Sequence, residues 1–198
     1  MNYNNILILK DNKVIMHYKN KDYIFTYNLD ILNKGIIINQ ERFIRTYNNY
    51  LKSNKLSTGF FYKDLTILYN PFISVNDLQV IKNAFNELNY RKINFIAINK
   101  LLELTKKNAY LFLDKDNYYL YYIDKYNNKK KMLLDLNVLT REEVNSLIIN
   151  KVNNKELIVI TDNYEFLLSD EINYYYFDNI MQFFLNFCFE KLKGITTI

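Results

Sequence analysis

The stretch YLFLDKDNYYLYYI, residues 110–123, predicts two short β-strands joined by a turn at Asp114, Lys115, Asp116 and Asn117. Its flanks are rich in tyrosine and other large apolar residues, and aromatic residues are enriched in strands, whereas Asp and Asn favour turns. The turn contains no glycine, the residue that lets backbone N–H groups come close to a bound phosphate. The stretch therefore predicts a hairpin whose turn lacks the composition of a phosphate-binding loop.

The part of the chain before this hairpin begins with three predicted strands. Alternating helices and strands follow them up to residue 107. The pattern of apolar residues and polar turns predicts strands at 5–10, 13–19 and 22–28, a helix at 39–53, a strand at 64–70, a helix after Ser74, a strand at 92–98 and a helix at 99–107. Asn39 precedes the first helix, and Ser74 is followed by Asp77, so both helices begin with capping residues.

From residue 108 onward the same order of elements is predicted again. It consists of strands at 109–114, 118–124 and 131–136, a helix at 140–152 with a capping box of Thr140 and Glu143, a strand at 156–161, a short segment at 163–170, a strand at 172–177 and a helix at 179–193. Both halves read β-β-β-α-β-α-β-α. This order indicates an old duplication with two domains, 1–107 and 108–198.

The composition predicts a folded α/β protein and argues against several kinds of site. The 198 residues are 49% hydrophobic with only 3 Gly and 1 Pro, which excludes a flexible linker and a glycine-rich loop. Cys188 is the single cysteine, so no internal disulfide forms. The start MNYNNILILKD has no basic segment followed by a long apolar stretch, so we expect no signal peptide, and no run reaches the roughly 18 apolar residues of a membrane span. We therefore expect a soluble cytoplasmic protein.

The net charge of +5 is unevenly distributed along the chain. Residues 1–103 contain 14 Lys/Arg and 8 Asp/Glu, whereas residues 104–198 contain 12 and 13, which gives +6 and −1. A basic half suits an acidic protein partner, nucleic acid or an anionic membrane. Because its basic residues are scattered, ordinary solvated lysines are the simpler interpretation.

The repeated order of elements resembles the actin-like ATPase fold of the MreB, FtsA and PilM type. In that fold two ribonuclease-H-like halves close on a nucleotide. Segments 34–51, 74–104 and 155–167 are similar to the family's entry into its first helix, its helix-strand-helix passage and its adenosine loop. The resemblance implies an α/β fold of two ribonuclease-H-like halves in an actin-like arrangement, compact and without large insertions.

The sequence departs from this family at the loops that hold the nucleotide. The family's phosphate-binding turns are of the Asp-x-Gly kind, but here they read KDNK (10–13) and DKDN (114–117), and the adenosine loop reads TDNY (161–164). Each replaced glycine adds a side chain where a phosphate would lie. Asp11, Asp114, Asp116 and Asp162 are therefore interpreted as remnants of these loops. We expect no cofactor and no ATPase activity.

One other chemistry remains open from the same aspartates. Ribonuclease-H-like nucleases hold two Mg²⁺ ions with clustered carboxylates, for which the four aspartates above are the candidates. Acidic residues in hairpin turns are more often simple turn formers. His17, the only histidine, lies in a strand and does not build a metal site alone.

Two surfaces are candidates for binding a partner. Lys129, Lys130 and Lys131 follow a run of tyrosines at 118, 119, 121, 122 and 126, which together suggest a stacking platform for single-stranded nucleic acid. Alternate strand residues face opposite sides, however, so half of these tyrosines belong to the other face or the core.

The final helix is the second candidate surface. Phe183, Phe184 and Phe187 belong to an apolar surface that leaves only a narrow polar stripe. Packing of this helix inside the chain is the simpler interpretation, and a partner, dimer or membrane-facing surface is the alternative.

These observations favour a non-catalytic scaffold or adaptor that binds a protein partner or a second copy. PilM-like proteins show by analogy that such a fold serves as a peptide-binding adaptor. The expected setting is bacterial cell division, cell shape or envelope assembly, in the cytoplasm or at the inner face of the membrane through a partner. The alternatives are a nucleic-acid-binding protein of a low-GC virus or mobile element, and a Mg²⁺-dependent nuclease.

Overall fold

A computed structural model describes residues 5–56, 64–100, 108–113, 117–152, 157–160, 168–169, 172, 174–177 and 180–187. The chain divides into two compact units, Met1–Ile98 and Asn99–Ile198. Residues 101–107 lie outside the described ranges, so the domain boundary placed between 107 and 108 stays a prediction.

The first unit is built on a five-stranded sheet. Its elements are β1 (Asn5–Lys10), β2 (Lys13–Tyr18), β3 (Lys21–Thr26), β4 (Leu32–Asn33), β5 (Ile36–Ile37), α1 (Gln40–Ser53), β6 (Asp64–Tyr69), α2 (Val75–Glu87) and β7 (Lys92–Ala97). The sheet order is β3-β2-β1-β6-β7, with β4 and β5 forming a separate small hairpin. β1, β2 and β3 pair antiparallel, whereas β6 runs parallel to both β1 and β7.

The second unit repeats this topology. Its elements are β8 (Ala109–Leu113), β9 (Asn117–Ile123), β10 (Lys129–Asp135), α3 (Arg141–Val152), β11 (Leu157–Ile160), β12 (Tyr174–Phe177) and α4 (Ile180–Phe187). The sheet order is β10-β9-β8-β11-β12, again three antiparallel strands followed by two parallel ones. The repeat predicted from the order of elements is therefore confirmed in the pairing of the strands.

Each unit has its own hydrophobic core. In the first, Leu7 and Leu9 of β1 belong to the same buried cluster as Phe43 and Tyr47 of α1 and Phe85 of α2. The rings of Tyr47 and Phe85 meet edge to face with centroids 5.5 Å apart. The alternate residues of the strand point to one face, so the sheet buries this side under the two helices.

In the second unit, the cluster joins Leu111 and Leu113 of β8 to Val144, Ile148 and Val152 of α3. Phe183 of α4 contacts Tyr110, which is on the alternate positions of β8, with ring centroids 6.0 Å apart. Because alternate residues point to opposite faces, α3 and α4 cover opposite faces of this sheet.

The predicted helix caps are present. Asn39 accepts a hydrogen bond from the backbone N–H of Arg42 at 3.0 Å, and Ser74 accepts one from the N–H of Asp77 at 3.2 Å. The N–H of Thr140 donates to Glu143 at 2.8 Å while the N–H of Glu143 donates to the Thr140 hydroxyl at 3.3 Å, which completes the capping box.

The structure also differs from the sequence interpretation in places. Asn117, assigned to a turn, is the first residue of β9 and pairs with Asp135 of β10. The β4–β5 hairpin was not predicted, because strands of two residues carry no periodicity. The helix predicted at 99–107 falls mostly outside the described residues. Its described beginning is a 3₁₀ turn, Ile98–Lys100.

Candidate functional site

The β1–β2 turn occupies the position of the first predicted phosphate loop. Asp11 has a positive φ of 49°, a backbone conformation that aspartate tolerates better than most residues. The Asp11 carbonyl accepts a hydrogen bond from the Gly35 N–H at 2.9 Å, and the Asn12 carbonyl accepts one from the Tyr27 N–H at 2.8 Å. The Asn12 side-chain amide donates to the Tyr27 carbonyl at 2.7 Å. The turn is therefore tied to the chain's own backbone at three points.

The side chains around this turn differ in charge and burial. The Asp11 carboxylate is partly exposed and has no hydrogen-bond or ion-pair partner within the described part of the chain. The buried Tyr27 ring stacks on Phe43 with centroids 5.0 Å apart. Burial, followed by the neighbouring Tyr50, raises the pKa of Tyr27, so its hydroxyl stays neutral.

The other predicted loop residues, Asp114, Asp116 and Asp162, lie outside the described residues. Within the described ranges, no group of three or more His, Cys, Asp or Glu side chains is placed to hold a metal ion. His17 contacts Asp22 across the β2–β3 pair at 2.6 Å between Nδ1 and Oδ1. This contact joins neighbouring strands of the sheet.

A groove of about 510 Å³ lies beside the turn that joins β9 to β10. It is called the β9–β10 groove below, and its lining includes Tyr122, Lys125, Tyr126, Lys130 and Lys151 together with Asp124. These residues come from the end of β9, the turn, β10 and the last turn of α3. All of them belong to the second unit.

Asp124 organises the turn at the edge of this groove. Its Oδ1 accepts the backbone N–H of Asn128 at 2.8 Å and that of Tyr126 at 2.9 Å. Lys130 Nζ lies 4.0 Å from its Oδ2. The Asn128 N–H, followed by that of Tyr126, holds the pKa of Asp124 below its ordinary value, with a smaller contribution from Lys130. The carboxylate is thus ionised and largely engaged by its own turn.

The strand register separates the three lysines that were predicted as one surface. Lys130 is paired with Tyr122, whereas Lys131 is paired with Tyr121 and Lys129 with Ile123. Directly opposed residues of antiparallel strands share a face, and successive residues alternate. Lys130 therefore lies on the groove side of the sheet, and Lys129 and Lys131 lie on the other side. The interpretation of the three lysines as one rim is corrected accordingly.

The predicted tyrosine platform is wrong for the strand residues. Tyr118, Tyr119, Tyr121 and Tyr122 are all buried in β9, which lies between β10 and β8 in the sheet. Only Tyr126 of that run is exposed, at 73%, and Lys125 Nζ lies 5.0 Å from its ring centroid. A row of buried rings does not stack on successive bases, so Tyr126 is the one exposed ring of this run.

The apolar residues of the last helix are placed in the core. Phe183 and Phe184 are 0% exposed. The side chain of Phe187 lies outside the described residues. Since a buried side chain does not contact a partner, the structure favours packing of this helix inside the chain.

Solved structures share this architecture at very low sequence identity. EutJ, an ethanolamine utilization protein from Carboxydothermus hydrogenoformans, matches with a TM-score of 0.56 at 7% identity, over 81% of this chain and 76% of that one. MreB 5 of Spiroplasma citri bound to AMPPNP matches with a TM-score of 0.54 at 9% identity, over 96% of this chain and 98% of that one.

The chain has the actin-like ATPase fold. No protein-family model and no curated protein matches the sequence. The similarity therefore establishes the fold alone.

Within the actin-like fold, the β1–β2 turn and the β8–β9 turn are the two hairpin turns where the resemblance places phosphate loops. The first is described and is tied to Gly35 and Tyr27; the second, at 114–116, lies outside the described residues.

Sequence reasoning missed the β9–β10 groove, since Lys151 and Lys125 are far apart in sequence. The available signal was the DKYNN turn at 124–128, which is typical of an aspartate-capped hairpin. Among the helices of the described residues, none is long and apolar enough to cross a membrane.

Proposed function

We propose that this actin-like protein is a non-catalytic scaffold or adaptor that binds a protein partner. Its setting is bacterial cell division, cell shape or envelope assembly, in the cytoplasm or at the inner face of the membrane through that partner. The observation that carries the proposal is the β1–β2 turn, which uses its carbonyls and the Asn12 amide to anchor the chain's own backbone.

A phosphate loop needs backbone N–H groups that a phosphate can approach. Asp11, Asn12 and Lys13 each present a Cβ and a polar side chain in this turn, where glycine would leave room. The Asn12 side chain, which has a donor for phosphate, is directed to Tyr27 at 2.7 Å instead. The Asp11 carboxylate adds a negative charge to the turn and has no ion-pair partner among the described residues. These features support a turn that stabilises the fold and binds no nucleotide.

A turn of this kind offers no phosphate contacts, so ATP-driven chemistry is not expected of this fold. A fold without its nucleotide still presents stable surfaces, and function then belongs to the sites carried on those surfaces. The second unit has one such surface in the β9–β10 groove. An adaptor role uses this surface and requires no catalytic residue.

The test is a calorimetric titration of Mg²⁺-ATP into the purified chain, with the melting temperature followed in parallel. A ligand that binds only the native state at a hundred times its dissociation constant stabilises it by about 2.7 kcal/mol. We expect neither heat of binding nor a shift in melting temperature at millimolar ATP.

Saturable ATP binding would contradict the proposal, provided that Asp11→Asn abolishes it and so assigns it to the β1–β2 turn. Mg²⁺-dependent cleavage of single-stranded DNA or RNA that Asp11→Asn abolishes would favour the nuclease alternative instead. Both measurements use the same protein preparation.

A further inference from the structure

The β9–β10 groove has the dimensions of a ligand site. Its volume of about 510 Å³ falls within the range of roughly 300–1,000 Å³ that is typical of binding clefts in proteins. Its walls combine the rings of Tyr122 and Tyr126 with the stems of Lys125 and Lys130. Aromatic rings and lysine stems supply apolar contact area, and the ammonium groups at the ends of the stems supply positive charge.

The charges at the groove are unbalanced in favour of positive ones. Lys125, Lys130 and Lys151 line it, and Asp124 is the one acidic side chain in that lining. Asp124 already accepts two backbone N–H groups, and Lys130 remains 4.0 Å from it and half exposed. The groove therefore has cationic capacity left for a ligand with carboxylates or another anionic group.

Two observations favour an acidic peptide over nucleic acid. The half that contains the groove, residues 104–198, has 12 Lys/Arg against 13 Asp/Glu, so it lacks the net positive charge that a long nucleic-acid backbone requires. Tyr126 is the single exposed ring of the tyrosine run, whereas single-strand binding uses successive stacked bases.

We propose that the β9–β10 groove binds a short segment of a partner protein that carries Asp or Glu residues and at least one large apolar side chain. Carboxylates of the segment pair with Lys130 and Lys151, and its apolar side chain packs against Tyr126. This inference rests on the proposed adaptor function and gives the partner a chemistry.

The test is fluorescence anisotropy with a labelled peptide of about ten residues in which Glu alternates with Leu and Phe. A peptide with Gln in place of Glu and an oligothymidylate of the same length serve as competing probes. The groove variant is Lys130→Gln combined with Lys151→Gln. Its matched control is Lys129→Gln combined with Lys131→Gln, which removes the same charge from the opposite side of the strand.

We expect the acidic peptide to bind the full chain, the Gln peptide to bind less well, and the groove variant to weaken binding by about tenfold. The control variant should change the affinity by less than about twofold, since its lysines do not reach the groove. Lys151→Gln alone and Tyr126→Ala give independent tests if the double variant is unstable, because both side chains are exposed. Each single change should also weaken binding.

Three results would overturn the inference. They are no binding at about 1 mM acidic peptide, equal losses in the groove and control variants, and tighter binding of the oligothymidylate than of the peptide. The ATP titration of the same sample separates the two proposals. Absent peptide binding with absent ATP binding refutes the groove alone, whereas ATP binding at the β1–β2 turn refutes the adaptor function itself.

Discussion

Replacing Gly35 by alanine should destabilise the first unit, because this glycine lies against the β1–β2 turn in a left-handed conformation. Its φ is +74°, and a Cβ built there would lie 2.9 Å from the Leu9 carbonyl oxygen and 3.5 Å from Ile73 Cδ1. The left-handed conformation costs an alanine about 1–2 kcal/mol. Leu9 belongs to the buried central strand β1 and has little room to move, so the overpacking adds about 1–3 kcal/mol. The total expected loss is about 2–5 kcal/mol.

Thermal unfolding followed by circular dichroism measures this loss. For a domain of about 100 residues, each kcal/mol lowers the melting temperature by roughly 4–8 °C, so the Gly35→Ala variant should melt at least about 8 °C lower. The matched control is Lys34→Gly, since Lys34 has a φ of +50° and gains freedom without a new contact. Its melting temperature should stay close to that of the parent. A Gly35→Ala transition within about 2 °C of the parent would refute the reasoning about the close approach to Leu9.

Three further predictions concern other parts of the chain. In an NMR pH series, the Asp124 carboxyl should show a pKa below the ordinary value of 3.8, because hydrogen bonds of its turn stabilise the carboxylate. The folding stability that these bonds supply is present above pH 3.8 and is lost as the pH falls through the folded-state pKa. A value at or above 3.8 would contradict this. Burial, partly offset by the hydrogen bond with Tyr47, raises the pKa of Tyr90 to about 12, so stability should fall between pH 10 and 12 by up to about 3 kcal/mol. Chemical denaturation at both ends of this range should show a smaller fall in Tyr90→Phe than in the parent, because Tyr27, whose pKa burial also raises, is still present; an equal fall would contradict the assignment to Tyr90. Thr140→Ala should cost about 1 kcal/mol by opening the capping box, and hydrogen exchange in α3 should speed up; unchanged exchange would assign the helix start to tertiary packing.

The sequence predicted the elements and their repetition well. β1 and α1 have the predicted bounds within one residue, because strongly apolar strands and a capped amphipathic helix are encoded in neighbouring residues. The repeated order then limited the fold to two similar sheets. The β4–β5 hairpin was missed because its pairing of Leu32 with Ile37 is held by Gly35 and the β1–β2 turn, which lie outside any local pattern.

The candidate sites were predicted less well, because they depend on which side of a helix or strand faces the core and which side faces solvent. The apolar surface of the last helix suggested a partner, yet burial of Phe183 and Phe184 gives those residues to the core. Phe183 is buried by contacts that include the ring of Tyr110, which is distant in sequence. The residue pattern of the helix alone contains no information about such contacts.

The sequence by itself determined that two copies of one β-β-β-α-β-α-β-α order are present, and that the first hairpin turn lacks the glycines of a phosphate loop. These are properties of local composition and periodicity. Only the tertiary structure decided that the Asn12 amide binds Tyr27, and that Lys130 is separated from Lys129 and Lys131 by the strand register. Both results depend on hydrogen bonds and pairings between segments distant along the chain, and these form only when the sheet is assembled.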